Sequence, residues 1–309
     1  MERLRTWQLF AICVVVWGTT WHAITYQLAG FPAALGVAVR FALAGAGALV
    51  VARWRGDRLA FSAADHGALA LQGMFLYGLA YVAVYQAEHF VPSGLVAVGY
   101  SASPLVSGIG AALLFGAPFG RRFATGGLCG VGGVALMFWP EIQRHDNADD
   151  AWRGAGFTGV AVLLSAIGSL VASRNRTRGM PLLPAIAYGM LYGAVAAALV
   201  GAALGDGRGL TLPTTASWWL SLVYLAFAGS VLAFACFLTL QDRVGVGRAG
   251  TVGVMTPLLA LVVSLFFEGF RPTALTLAGA LLAGAGNALM LRPGRSGRRP
   301  ATAAAREAG

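Results

Sequence analysis

The stretches SPLVSGIGAALLFG (Ser103–Gly116) and TPLLALVVSLFFEG (Thr256–Gly269) decide the reading of this chain, because they are one motif written twice, 153 residues apart. Laid without a gap over Gly94–Met137 and Gly247–Met290, that register keeps ten of 44 positions identical. Among them are Pro104/Pro257, Leu105/Leu258, Gly116/Gly269, Gly126/Gly279, Gly133/Gly286 and the run Ala135-Leu136-Met137/Ala288-Leu289-Met290. Both copies lie in apolar stretches long enough to cross a bilayer. A duplicated membrane unit with a mid-helix proline in each half is the pattern of a transporter assembled from repeats.

Composition supports a membrane setting. The 309 residues are 58% hydrophobic and 11% charged, with mean hydropathy +0.71, whereas a soluble domain carries about a quarter of its residues charged. The net charge of +10 comes entirely from arginine, there being no lysine. Because those arginines sit in short loops, they indicate orientation and contact with anionic lipid rather than nucleic acid. Cys13, Cys129 and Cys236 are far apart in apolar stretches, which argues against a disulfide framework or a metal site. Trp7–Gln27 is too long for a signal-peptide core and is followed by nine similar segments, so it is expected to be the first span.

About 20 apolar residues cross a bilayer as a helix. Ten spans are expected, at roughly 7–27, 32–52, 66–88, 94–116, 122–140, 155–173, 181–204, 216–240, 247–267 and 272–291. One set of span ends holds seventeen arginines, from Arg3 and Arg5 through Arg53, Arg121, Arg174 and Arg243 to Arg306. The other holds Arg144, Arg153, Arg208 and Arg271, with Asp146, Asp149, Asp150 and Asp206. The positive-inside rule therefore puts both termini in the cytoplasm. The polar linker 141–154 separates a first repeat (1–140) from a second (155–291), and the basic tail 292–309 is expected to be disordered. Five spans per repeat is an odd number, so the second repeat enters from the opposite side. The fold expected is all-α: ten transmembrane helices as two inverted five-helix repeats around a central cavity.

These features resemble the drug/metabolite transporter superfamily, in its ten-span form with two EamA-like repeats. The resemblance rests on Trp17-Gly18 in span one, Arg40 in span two, the Ser/Thr-Pro sites of spans four and nine, and the glycine-rich Gly126–Met137 and Gly279–Met290. It covers about residues 7–291. One departure is that the family closes spans four and nine with Gly-Glu, whereas here the ends read Gly116-Ala117 and Glu268-Gly269. The resemblance implies a cavity lined by spans one, three, four, six, eight and nine, with five and ten outside. It extends to bacterial aromatic-amino-acid exporters within the superfamily.

Candidate functional residues follow from membrane chemistry. Pro104 and Pro257 each remove a helix hydrogen bond near mid-membrane, and with Ser103 and Thr256 they are candidate hinges beside a polar patch, or static kinks. Arg40 is the only charge deep in a span; it is either a counter-ion for a substrate carboxylate or a structural arginine inside the bundle. His22 is either interfacial or proton-linked. Tyr77, Tyr81 and Tyr85 share one helix face; Trp17, Tyr77 and Tyr81 are expected in a cavity wall suited to aromatic, planar or cationic solutes. Trp21, Tyr85 and Tyr100 fit either that wall or an aromatic belt, whereas Trp218 and Trp219 fit the belt. Ser165 and Ser169 are cavity groups or interhelical glue, and the small-residue patterns at Gly126/Gly130 and Gly279/Ala283 serve packing within a monomer or in a dimer.

No Asp or Glu lies deep in a span; Glu88, Asp242 and Glu268 are at helix ends. That argues against the glutamate-based antiport of the small multidrug-resistance proteins and leaves facilitated diffusion, or coupling through His22. No cofactor is expected, and no enzyme, since four scattered histidines and no buried carboxylate make a poor catalytic cluster. The expectation is an inner-membrane exporter of small metabolites, first aromatic or apolar amino acids. Multidrug or organic-cation efflux is the alternative, and a non-transporting scaffold or receptor the alternative of another class.

Overall fold

A computed structural model of the chain describes residues 4–116, 120–143, 148–206, 210–244 and 252–291. Among them are ten helices in chain order: α1 (Thr6–Leu28), α2 (Ala33–Trp54), α3 (Ala63–Glu88), α4 (Ser93–Phe115), α5 (Arg121–Gln143), α6 (Ala148–Thr177), α7 (Leu182–Leu204), α8 (Ala216–Val223, continued by Tyr224–Leu232 and Ala233–Val244), α9 (Val252–Phe267) and α10 (Ala274–Leu291). The first eight are long and apolar enough to span a bilayer, and the last two form shorter apolar helices. Helix ends follow local chemistry. Ser62 and Asp65 form a reciprocal capping box at the start of α3. The duplicated Gly116 and Gly269 follow α4 and α9 with φ of 63° and 65°, a conformation that L side chains resist.

The two repeats are visible in the packing. Gly126 and Gly133 lie two turns apart on one face of α5, and their equivalents Gly279 and Gly286 lie likewise on α10. The contacts cross over. A Cβ added at Gly133 would lie 2.5 Å from the Gly279 carbonyl oxygen, and one at Gly279 would lie 2.5 Å from that of Gly133. Gly126 and Gly286 oppose each other's carbonyls in the same way. This reciprocity is what a pseudo-two-fold axis between inverted repeats requires, and it uses small residues to bring two helix backbones together in lipid. The other central pair is α2 and α7, where Gly45 faces Ala187 and Leu191.

A second internal match lies in α3 and α8. Each contains a wide π turn, at Met74–Leu79 and at Tyr224–Leu232, and adding 153 to the first places it inside the second. At the α3 turn Gly73 and Gly78 press on the backbone of Gly189 and Gly193 in α7. Sequence periodicity carries no sign of these turns, since a π turn inserts into an otherwise helical pattern.

Several expectations change. The linker expected at 141–154 is mostly helix: α5 runs through Pro140 to Gln143, and α6 starts at Ala148 with Asp149 and Asp150 in its first turn, where acidic groups favour the helix dipole. Trp218 is not in an aromatic belt. It is 1% exposed, its indole N–H donates to the Gln27 carbonyl at 3.1 Å and its ring packs on Phe31. Tyr85 is fully buried as well. The tail 292–309 and Arg3, Arg144, Asp146, Arg208 and Arg248 fall outside the described residues.

Because the α5–α10 approach leaves no room for a methyl, Gly133→Ala is expected to cost about 1–3 kcal/mol through overpacking. Gly132→Ala, where the nearest outside atom is 4.0 Å from the added carbon, should be neutral. Thermal unfolding of the two purified variants side by side checks this.

Candidate functional site

Mid-bundle, α1, α3, α4, α8 and α9 leave a cavity of about 300 Å³. Its wall is formed by Trp17, Thr20 and Trp21 of α1, Tyr81 and Val84 of α3, Ala97, Tyr100, Ser101, Ser103 and Pro104 of α4, Phe234 of α8, Gly253, Thr256 and Pro257 of α9, and Asn287 of α10. Both prolines of the duplicated motif therefore meet at one void. A larger cleft of about 610 Å³ lies among α2, α7 and α8, beside Arg55, Asp57 and Arg176. It contains neither proline motif and is not the site favoured below.

Each wall residue is placed by identifiable forces. Trp17 donates its indole N–H to the Gly229 carbonyl at 3.1 Å, within the π turn of α8, and its ring packs edge-on against Phe234. Gly18 beside it allows α9 to come close, since a Cβ there would meet Leu259 at 2.6 Å. Pro104 has no N–H for the Tyr100 carbonyl one turn back. The helix tightens into a 3₁₀ turn at Tyr100–Ala102, and the Ser103 N–H takes that carbonyl instead. The carbonyl expected to be freed by Pro104 is thus satisfied within α4. In α9 the Thr256 hydroxyl donates to the Val252 carbonyl at 2.8 Å, so its proton is engaged by its own helix.

Tyr100 packs against Trp21 with the ring planes tilted and the centroids 5.3 Å apart, and its hydroxyl shares a 2.7 Å hydrogen bond with Ser165. Ser165 is therefore a support behind the wall, and α6 supplies no lining group, contrary to the arrangement implied by the resemblance. Asn287 brings α10 into the wall, a second departure. The reason in each case is rotation about the helix axis, which sequence alone does not fix. Tyr77 is 2% exposed and packs on Phe41 and Phe234 behind the cavity.

Arg40 is not a lining residue either. It is 1% exposed, with its guanidinium 4.8 Å from the Tyr81 ring centroid, 5.1 Å from that of Phe41, and 3.5 Å from the Tyr85 hydroxyl through Nη1. Its Nε has no hydrogen-bond partner. Both carboxylate oxygens of Glu88 are also buried without a partner. His22 lies outside the cavity as well, its Nδ1 3.0 Å from the Glu268 carboxylate. Burial alone would push that carboxyl up, but hydrogen bonds from Ser93, His22 and Ser264 outweigh burial and hold it below its usual range.

Sequence reasoning missed Thr20, Phe234 and Asn287. The Ser101 hydroxyl is buried at the cavity wall without a partner, the one such lining atom among the described residues and a ready donor or acceptor for a bound molecule. Its spacing from Tyr100 and Ser103 was visible, but which of the three hydroxyls would be left unpaired was not. Together the wall is aromatic and uncharged, with hydroxyls and one amide, which suits reversible holding of a small, largely apolar solute with a polar handle.

Comparison with known proteins bears on what this cavity serves. The model of the EamA-like transporter family matches residues 5–139 and 152–292, nearly the whole chain in two copies. The chain is 27% identical over 271 residues to the uncharacterized inner membrane transporter YedA of Escherichia coli K12, covering 84% of this chain and 82% of YedA. It is 24% identical over 274 residues to the protein PagO of Salmonella typhimurium LT2, covering 85% and 84% respectively. A crystal structure of another protein superposes with a TM-score of 0.66 at 19% identity, over 91% of this chain and 94% of that one, and so shares the fold. With two family matches falling on the two halves that cross at α5 and α10, this chain belongs to the EamA-like transporter family.

Proposed function

We propose that this chain is a secondary transporter that carries small metabolites out of the cytoplasm by alternating access through the cavity around Trp17 and Tyr81. The observation that carries the reading is the mid-bundle cavity at which Pro104 and Pro257, the equivalent prolines of the two repeats, meet. At the end away from most of the arginines, the first turns of α4 (Ser93–Gly99) are fully buried and pack on α9. The second half of α4 (Ser103–Phe115) has no buried residue and packs on α5 and α6. Inverted repeats can exchange roles about such a cavity, which gives a bundle of this kind an alternative state. The arginine-rich end is taken as cytoplasmic, with the chain as an inner-membrane protein whose termini are inside; YedA is named an inner membrane transporter.

For the cargo, aromatic or apolar amino acids are our first choice. The wall has five aromatic rings, neutral hydroxyls and one amide, and about 300 Å³ is at the small end of ligand cavities. Efflux of organic cations is the second reading, because indole and phenol faces also attract quaternary ammonium groups. Facilitated diffusion is favoured over coupling through His22, which is engaged by Glu268. The division into repeats 1–140 and 155–291, arginine contacts with anionic lipid, and a monomer complete the proposal; the small-residue faces of α5 and α10 are used on each other. A non-transporting scaffold or receptor would have no need of a mid-bundle cavity.

Flux into proteoliposomes, measured across amino acids, purine metabolites and cationic dyes, tests the cargo; no flux of any amino acid would remove the first choice. Trp17→Ala and Ser101→Ala are expected to lower that flux about tenfold or more without lowering expression. Since Arg40 sits behind Tyr81, Arg40→Ala should depress transport of all cargoes alike. A loss confined to carboxylate-bearing cargo, measured on the same panel, would instead make Arg40 a recognition residue.

A further inference from the structure

Four groups from three helices converge on one carboxylate at the end of the bundle away from most of the arginines. Glu268, just after α9, accepts hydrogen bonds from the Ser93 backbone N–H at 2.9 Å, from the Ser93 hydroxyl, and from the Ser264 hydroxyl at 2.9 Å, and lies 3.0 Å from His22 Nδ1. Ser93 opens α4, so its N–H is one of the donors a helix leaves unpaired at its start. A carboxylate of the second repeat therefore closes a helix end of the first, where the helix dipole also favours negative charge. Alongside, Gly94 allows close approach: a Cβ there would lie 2.9 Å from Ser264 Cβ and 3.0 Å from Leu261 Cα.

The 153-residue register separates the parts of this contact. In the sequence Gly94 recurs as Gly247. Of the polar partners, Ser93, Ser264 and Glu268 correspond to Val246, Ala111 and Phe115, while His22 corresponds to Asn175, whose amide is spent on Gln72 and the Ala68 carbonyl.

We propose that Glu268, Ser93, Ser264 and His22 form a one-sided latch that holds this end of the transporter shut and sets its resting state. The proposal rests on the alternating-access reading, because a latch matters only if the end it closes also opens. Its hydrogen bonds join α1, α4 and α9 and exist only while those helix ends are together. They therefore stabilise one state over the other, and an interaction present in one state shifts populations by its differential free energy. Because the register puts Phe115, not a carboxylate, at the position equivalent to Glu268, the bias is toward the state closed here and open to the arginine-rich side.

The test places a cysteine in the cavity by Ser101→Cys, with Cys13, Cys129 and Cys236 replaced by alanine, in vesicles of known protein orientation. A membrane-impermeant thiol reagent is added to either side. With Glu268 intact, labelling from the latch side is expected to be slow. Glu268→Ala should speed it about tenfold or more and slow labelling from the arginine-rich side, with Glu268→Asp in between. Should Glu268→Ala not fold, Ser93→Ala with Ser264→Ala removes two hydroxyl donors to the carboxylate and should speed latch-side labelling in the same direction. Unchanged rates in folded Glu268→Ala protein, or in the double variant if that is the one that folds, would overturn the proposal. Flux in parallel vesicles that keep Ser101 separates the two readings: a labelling shift with no flux of any solute supports the latch and removes the transport assignment, whereas flux with no labelling shift removes the latch.

Discussion

The close approach of α5 and α10 is the constraint on which the rest of the structure depends. In lipid there is little hydrophobic gain from pressing two apolar helices together, so association relies on backbone proximity and shape. Gly126 and Gly133 against Gly286 and Gly279 supply both, with each glycine opposite a carbonyl of its partner helix. Because the pairs are related by the duplication, this one contact fixes the pseudo-two-fold axis. The axis in turn sets which faces of α4 and α9 turn toward each other and brings Pro104 and Pro257 to a common void. A side chain at any of these glycines would act on the site at a distance, by moving one repeat relative to the other.

Around that axis the two halves share geometry and differ in chemistry. The π turns, the prolines and the left-handed glycines after α4 and α9 recur. Tyr100, Ser101 and Ser103 of the first repeat face Gly253 and Thr256 of the second, so the cavity has one aromatic, hydroxyl-rich side and one plainer side. Buried charge is held away from the void. Arg40 rests on the rings of Phe41 and Tyr81, and Glu268 is enclosed by hydroxyl, amide and imidazole partners. A cavity without fixed charge does not hold one ionic partner strongly in either state, which suits a carrier that must release what it binds.

Much of the fold was legible in the sequence, because bilayer thickness dictates helix length and the duplication dictates topology. The candidate site was legible only in part. Trp17, Tyr81, Tyr100, Ser103 and Thr256 line the cavity. Tyr77, Ser165, Arg40 and His22 lie behind or beyond it, although each has the polarity that made it a candidate. Trp218 looked interfacial because tryptophan near a span end usually is, and a carbonyl on α1 drew it inside.

What the sequence determined by itself was the membrane class, the ten spans and the inversion, since hydropathy, arginine placement and an odd number of spans per copy depend on order along the chain alone. The tertiary structure decided which face of each helix meets the cavity, which hydroxyls are already paired, and which carboxylate caps the start of α4. Those depend on rotation about helix axes and on contacts between residues as far apart as Ser93 and Glu268, and no local pattern in the chain encodes them.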